Sequence, residues 1–308
     1  MYNWVSLLGK LDQEDNKLIF RGSTEPTISV QAKENTGIFL CDQTIESIGI
    51  GNIHANITFR GTVENVGCQF IIENSVSSQG YLTAGIGTSH FATVRVFKQN
   101  VEEIFAAQGE HSQLKQGKPY HLSVRKLGSR VSVHVDGVNI ITTDLPYSIS
   151  KSQVGIWCKS KNDIEITNFN VEREDPTVFV VMQFTDPYNE LYNDVIKPVC
   201  KKFKLSVLRA DDIYGPGHIT KAIESNISGS SIVIADISPV NPNVYYEVGY
   251  AHALGKPTIL IADRKTVLPF DVSPFRTLFY EDSIAGKSRV EAGLKKHLEA
   301  VLGNGAGI

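Results

Sequence analysis

Hydrophobic and polar residues alternate along much of the first half of this 308-residue chain. From Ile53 to Phe59 every second residue is apolar, and His54, Asn56 and Thr58 lie between. A period of two predicts a β-strand with one face buried and the other in water. Seven later segments have a similar strand-like character: Gly67–Ile72, Tyr81–Ile86, Thr93–Phe97, His121–Arg125, Arg130–Val135, Val154–Cys158 and Ile164–Val171.

Turn signals separate these segments. Asp136-Gly137 lies between two strand-like runs, and this dipeptide is typical of a tight β-hairpin. Only the stretch around Val101–Gln108 favours an amphipathic helix. Many short strands at this spacing predict an antiparallel β-sandwich over residues 1–174.

The pattern changes after the charged linker Glu172–Pro176. The apolar run Val178–Phe184 precedes a helical segment, Glu190–Phe203, in which Pro198 predicts a kink or an early end. Near-continuous apolar runs are typical of parallel strands covered on both faces. Further strands are predicted at Leu205–Leu208, Ser231–Asp236, Pro257–Ala262 and Leu278–Tyr280, and further helices at His218–Ile227, Val244–Leu254 and Lys287–Leu302. Residues 175–303 therefore predict a flavodoxin-like, doubly wound α/β domain with strand order 2-1-3-4-5.

One carboxylate interrupts the apolar face of a helix in this second half. At about 100° per residue, Val244, Val248, Ala251 and Leu254 share a face, and Glu247 falls within it. A buried carboxylate is costly unless something uses it, although an acid in a first turn can also complement the helix dipole. Because this helix follows the carboxyl end of a strand, where open α/β sheets bind ligands, Glu247 is a candidate catalytic residue.

Four more side chains are expected near the same crevice, between the first and third strands of the sheet. Phe184 ends the first strand, Asp211 follows the second, Asp236 ends the third, and Asn243 precedes Glu247. A phenyl ring can pack on a base, and carboxylates accept hydrogen bonds from ribose hydroxyls. Each has a structural alternative, which is core packing for Phe184, a solvated turn for Asp211, and capping of a loop or helix for Asp236 and Asn243.

Two well-known phosphate-binding motifs are missing from the sequence. No GxGxxG follows a strand and no GxxxxGK[ST] loop occurs, which argues against a Rossmann dehydrogenase or a P-loop NTPase. Gly215-Pro216-Gly217 is interpreted as a tight turn, with a phosphate site at a helix start as the alternative. The four cysteines lack metal-ligand spacing, so no metal is expected.

Composition and charge narrow the functional classes further. The chain is 42% hydrophobic and 20% charged with a net charge of −3, so nucleic-acid binding is not expected. No stretch approaches the roughly 18 apolar residues of a membrane span, and the first residues do not form a secretory signal. The expectation is a cytoplasmic protein with free thiols.

The first half resembles a concanavalin-like, laminin-G-type jelly roll. The resemblance is carried by the strand pattern and by Val133–Val138, Val154–Trp157 and Ile166–Phe169. Folds of this kind host lectins, glycosidases and spacers, and the sequence lacks the closely spaced carboxylates of sandwich glycosidases. The resemblance therefore implies sensing of a trigger or glycan-like ligand, or a role in assembly.

The second half resembles nucleoside 2-deoxyribosyltransferases and the bacterial TIR-like domains related to them. The resemblance spans residues 177–302 and centres on Asn241–Ala251, while Val180–Phe184 and Arg209–Ile213 strengthen the match to the TIR-like group. In those families the glutamate that matches Glu247 acts on the anomeric carbon of a nucleoside or of NAD.

This second resemblance implies a TIR-like NAD hydrolase of bacterial antiphage defence, with NAD as its nucleotide substrate and no cofactor. Glu247 would act at C1′, and Phe184, Asp211, Asp236 and Asn243 would bind the substrate. Activation through the N-terminal domain or through homo-oligomerisation is expected. Two alternatives stay open, which are a deoxyribosyltransferase-like enzyme and a non-catalytic nucleotide-binding or scaffold protein.

Overall fold

The computed structural model describes residues 2–22, 35–45, 50–75, 80–98, 101–147, 149, 151–212 and 219–303. Within these ranges, fourteen strands form two antiparallel sheets and five later strands form a parallel sheet. The strands of the antiparallel sheets are β1 Trp4–Leu8, β2 Lys10–Glu14, β3 Lys17–Arg21, β4 Thr36–Ile45, β5 Ile50–Phe59, β6 Gly67–Ser75, β7 Gly80–Gly87, β8 His90–Lys98, β9 Val101–Glu110, β10 Pro119–Leu127, β11 Arg130–Val135, β12 Val138–Asp144, β13 Ser152–Lys159 and β14 Ile164–Glu174.

The two antiparallel sheets share one hydrophobic core. The first sheet has the order β1-β4-β13-β6-β7-β8-β9, and the second has the order β12-β11-β10-β5-β14-β3-β2. Phe39 and Phe70 from the first sheet and Ile53, Val124 and Val133 from the second are all fully buried in that core. The predicted antiparallel β-sandwich is therefore confirmed.

Residues 101–110 form a strand, so the helix predicted around Val101–Gln108 is wrong. β9 pairs with β8 from Lys98 opposite Val101 to His90 opposite Glu110. Pairing with β8 gives this short segment backbone hydrogen-bond partners along one side, whereas an isolated helix of the same length is marginal in water.

The second half places helices on both faces of its sheet. Its elements are β15 Thr177–Val181, α1 Tyr188–Leu191, α2 Lys197–Lys202, β16 Ser206–Arg209, α3 Ile219–Gly229, β17 Ile232–Asp236, α4 Pro242–Ala253, β18 Thr258–Asp263, β19 Thr277–Tyr280 and α5 Ile284–Gly303. All five strands are parallel, in the order β16-β15-β17-β18-β19. This is the predicted 2-1-3-4-5 order. β15 is almost wholly apolar because both of its faces are covered. Val178 and Val180 face one core, while Phe179 and Val181 face the other.

Pro198 distorts its helix without ending it. A π-helical turn, Tyr192–Ile196, joins α1 to α2 immediately before the proline. Proline lacks an amide donor and crowds the carbonyl four residues earlier, and a wider turn at this point relieves that crowding.

One hairpin turn of the sandwich lies against the second half. Arg130 Nη2 donates a hydrogen bond of 2.6 Å to Ser228 Oγ in α3. Beside it, the buried ammonium of Lys256 donates to the carbonyl oxygens of Ser228 at 2.6 Å and Ser230 at 2.7 Å. Gly128 has φ of +60°, and a β carbon there would overlap the Lys256 ammonium and the Ser230 carbonyl. The turn therefore approaches the second half as closely as glycine permits.

Candidate functional site

A cavity of about 400 Å³ opens at the carboxyl ends of β15 and β17. These strands are neighbours at the point where the strand order reverses, which is where open α/β sheets bind ligands. The cavity is lined by Met182, Gln183 and Phe184 after β15, by Ile219, Thr220 and Ile223 of α3, and by Asn241, Asn243, Val244, Tyr246 and Glu247 around the start of α4.

The start of α4 is fixed by its own sequence. Asn241 has extended backbone angles, and its side-chain oxygen accepts a 3.0 Å hydrogen bond from the amide of Asn243. Pro242 occupies the first helical turn, where its missing amide costs nothing. Asn241 is therefore the helix cap, and the exposed side chain of Asn243 lines the cavity instead.

Glu247 lies one turn further along α4, half-buried in the cavity wall. The apolar face of the helix is as predicted, because Val244, Val248 and Ala251 are buried. Within the described ranges, no group forms a hydrogen bond or an ion pair with the Glu247 carboxylate. Burial raises the pKa of Glu247 to about 7, because loss of water disfavours the charged form.

Phe184 presents its ring to the cavity and is 46% exposed. The Arg209 guanidinium lies 5.2 Å from the ring centroid of Phe184 and 4.1 Å from that of Tyr192. Arg209 is itself buried and is bound by Asp211 and by Asn189 Oδ1 at 3.0 Å. Asp211 thus holds the arginine behind Phe184 and is not among the described lining residues, so its contact with substrate stays a prediction.

Asp236 is fully buried and is also absent from the described lining of the cavity. Its carboxylate accepts hydrogen bonds from Ser238 N at 3.0 Å, Ser238 Oγ at 2.5 Å and Tyr280 OH at 2.8 Å. Burial raises the pKa of Asp236 to about 6, and the three donors oppose that shift. These bonds tie the loop after β17 to β19. Asp236 therefore caps a loop, which is the structural alternative to substrate binding.

Replacing Asp236 with alanine is expected to lower the free energy of unfolding by roughly 2–4 kcal/mol, because three donors lose a buried acceptor. The matched variant Tyr280→Phe removes one donor and should cost about 1 kcal/mol. Urea denaturation measures both. Unchanged stability in Asp236→Ala, together with weaker nucleotide binding, would instead assign Asp236 a direct role in binding.

Three of the five predicted site residues thus line one cavity: Phe184, Asn243 and Glu247. Sequence reasoning missed Arg209, whose position at the end of β16 beside two acids was the available signal. It also missed the contribution of α3, which supplies an apolar wall through Ile219 and Ile223. The alternative phosphate site at Gly215-Pro216-Gly217 lies outside the described residues.

The described part of the chain contains little that indicates another kind of site. In those ranges no three histidine, cysteine, aspartate or glutamate side chains are placed to hold a metal ion. Four cysteines, Cys41, Cys68, Cys158 and Cys200, are buried and free. No helix in the described ranges has the length and apolar content needed to span a membrane.

No protein-family model matches this chain, and no curated protein matches it. Among solved structures, the chain is similar to a carbohydrate-binding module, CBM66, from Bacillus subtilis, with 14% identity, a TM-score of 0.45, and coverage of 55% of this chain and 94% of the module. A Bacillus subtilis protein with a galectin-like fold gives 13% identity, a TM-score of 0.41, and coverage of 55% and 89%. The Emp47p carbohydrate recognition domain gives 12% identity, a TM-score of 0.38, and coverage of 55% and 87%.

Proposed function

We propose that this protein cleaves the N-glycosidic bond of NAD, with Glu247 as the catalytic carboxylate. The observation that carries the proposal is a half-buried acid in a cavity at the strand-order reversal, with no cationic partner among the described residues. Acids whose pKa is raised by burial in a cleft are candidates for functional residues. We also propose that the first half is a jelly roll and that the second half is a flavodoxin-like, TIR-like domain.

The proposed reaction uses the negative charge of Glu247. When the bond between ribose C1′ and the nicotinamide nitrogen breaks, both electrons leave with the ring, which departs as a neutral molecule. Positive charge then develops on the ribose, and an unpaired carboxylate in a desolvated cavity stabilises it. Water adds to C1′ and releases a proton, so NAD and water yield ADP-ribose, nicotinamide and H⁺. No acid is required for departure of the nicotinamide.

The rest of the cavity suits the reacting end of this substrate. The exposed face of Phe184 offers a surface for a planar ring, and Arg209 behind it restricts the ring's position. Asn243 offers both a donor and an acceptor for a ribose hydroxyl. Pockets of about 300 Å³ and above bind small ligands, and about 400 Å³ accommodates a nucleoside unit with the remainder of NAD outside.

Control by the N-terminal half is part of the proposal. Lys256 follows α4, the helix that carries Glu247, and it lies under the Gly128 turn of the sandwich. Displacement of that turn would change the contacts of Lys256, just after the C-terminal end of the catalytic helix. Exposed apolar side chains near the cavity mouth, Ile219, Val240 and Tyr246, favour completion of the site by a second copy. A cytoplasmic effector of antiphage defence is the biological role that we propose.

We expect full-length protein at high concentration to release nicotinamide from NAD. Because burial places the pKa of Glu247 at about 7 and the carboxylate is the active form, kcat/KM should rise about tenfold per pH unit below 7 and level off above it. Nicotinamide release measured from pH 5 to 9 tests this. A rate that falls as the pH rises through 7 would mean that the protonated acid is the active form.

The same assay separates the two alternatives. Base exchange between a deoxynucleoside and a free purine, without nicotinamide release, would identify a deoxyribosyltransferase-like enzyme. Nucleotide binding that depends on Phe184 but gives no turnover of either substrate would identify a binding or scaffold protein.

A further inference from the structure

The outward face of the first sandwich sheet carries a buried polar network. Gln69 Oε1 accepts hydrogen bonds from Thr83 Oγ1 at 2.6 Å and from Arg95 Nε at 2.8 Å. Gln69 Nε2 donates to Thr93 Oγ1 at 2.6 Å. Each of these four side chains is at most 2% exposed. Outward positions of a sheet normally face water, so burial of four polar side chains there is unusual.

Arg95 is held at the centre of this network. Its guanidinium lies 4.2 Å from the Trp157 ring centroid and 4.8 Å from that of Phe97, and its Nη1 donates a 2.7 Å hydrogen bond to Glu102 Oε1. Stacking and two directed hydrogen bonds fix the plane of the guanidinium. With its plane fixed, the guanidinium presents Nη2 in one orientation.

Three buried polar atoms around Arg95 have no partner among the described residues. They are Arg95 Nη2, Thr36 Oγ1 and Thr88 Oγ1. Arg95 is 2% exposed and Thr36 is 7% exposed, so a lost hydrogen bond at either is expensive. All three residues line one cavity of about 410 Å³. Buried polar atoms that lack hydrogen-bond partners and share a cavity indicate a place where a ligand supplies those partners.

The rim of this cavity defines the chemistry of that ligand. Asn65 and Ser89 add hydrogen-bonding groups, and Lys159 adds a positive charge that lies 3.2 Å from Asn65 Oδ1. Among the described lining residues, Arg95 and Lys159 against Glu102 sum to one positive charge. That balance suits a monoanion better than a dianionic phosphate.

We propose that the cavity bordered by Arg95, Thr36, Thr88 and Lys159 binds a sugar acid, that is, a hydroxyl-bearing ring with one carboxylate. Arg95 Nη2 donates to the carboxylate, and the threonine hydroxyls bond the ring hydroxyls. This site lies in the sandwich and does not depend on the proposed activity of the second half. It gives the sensing half of the protein a defined ligand class.

Isothermal titration of the full chain with D-glucuronate tests the proposal. D-glucose serves as the neutral probe and glucose 6-phosphate as the dianionic probe. We expect glucuronate to bind at least about tenfold more tightly than either. Equal binding of glucose, or tighter binding of glucose 6-phosphate, would overturn the assignment to a sugar acid, and so would a lack of binding by all three probes.

Two variants locate the binding site. Arg95→Lys keeps the charge and removes the planar fork, so glucuronate affinity should fall at least about tenfold. Because this change also disturbs the Gln69 network, Thr36→Val provides a second test that keeps side-chain shape, with several-fold weaker binding expected. The matched control is Thr142→Val, which removes an exposed hydroxyl from the other sheet. Equal affinity in Thr36→Val and Thr142→Val, with both folded, would place the ligand elsewhere.

Discussion

Replacing Glu247 with glutamine is expected to lower nicotinamide release from NAD by at least about 100-fold, because the neutral amide cannot stabilise positive charge on the ribose. The amide has nearly the shape of the carboxylate, so the cavity and the affinity for NAD should change little. Single-turnover nicotinamide release, compared with NAD binding by titration, separates the two effects. Loss of binding in proportion to loss of activity would make Glu247 a binding residue.

The same substitution should stabilise the protein at alkaline pH. The carboxyl ionises near its ordinary pKa of 4.5 when unfolded and at about 7 when folded, so the unfolded state loses its proton first. The free energy of unfolding therefore falls as pH rises from about 4.5 to 7, and stays low above 7. Glutamine does not ionise. The Glu247→Gln substitution should therefore raise the free energy of unfolding by on the order of 2 kcal/mol at pH 8 and leave it unchanged below pH 4.

Thermal unfolding at pH 4 and pH 8 measures that difference. The matched control is Glu190→Gln, which removes the charge of an exposed glutamate on α1 and should leave stability within about 0.5 kcal/mol at both pH values. A Glu247→Gln protein that is less stable at pH 8 would show that the carboxylate has a stabilising partner, contrary to an unpaired catalytic acid.

Replacing Gly128 with alanine is expected to lower the free energy of unfolding by about 3 kcal/mol. Part of the cost is a β carbon at a φ of +60°. The larger part is overlap with the Lys256 ammonium and the Ser230 carbonyl, which forces the sandwich turn away from the second half. Hydrogen exchange should then rise at the amides of residues 226–230.

Gly137→Ala isolates the contribution of that contact. Gly137 has φ of +80° in another hairpin turn, and a β carbon there would have open space around it. This variant carries the backbone strain alone and should cost about 1 kcal/mol, with exchange near residue 228 unchanged. Equal effects of the two substitutions would mean that the Gly128 turn does not hold the halves together.

The sheets were predictable because each strand carries its own periodicity. Apolar and polar residues alternate in β5 because only one of its faces is buried. The apolar run of β15 is continuous because both of its faces are buried. β9 was predicted wrongly because its side chains are exposed or half-buried. Buried and exposed positions therefore do not alternate along this strand. Its strand conformation depends on β8, which no local pattern reveals.

The candidate site was predictable only where a residue departs from its own helix pattern. Glu247 interrupts an apolar stripe and could be singled out, whereas Asp236 and Asp211 were placed only by their position at strand ends. Asp236 is satisfied by Tyr280, 44 residues later, and Asp211 by the side chain of Arg209. The Tyr280 partner arises from tertiary structure, whereas Arg209 lies only two residues from Asp211 in the sequence.

The proposed activity requires that the Glu247 carboxylate faces the ribose carbon that carries the departing base. A crystal structure of the Glu247→Gln protein with NAD bound tests it most directly. We expect the nicotinamide ribose in the cavity between Phe184 and Asn243, with its C1′ about 3.5 Å from the side-chain amide of residue 247. NAD bound elsewhere, or bound here with its adenine end at residue 247, would contradict it.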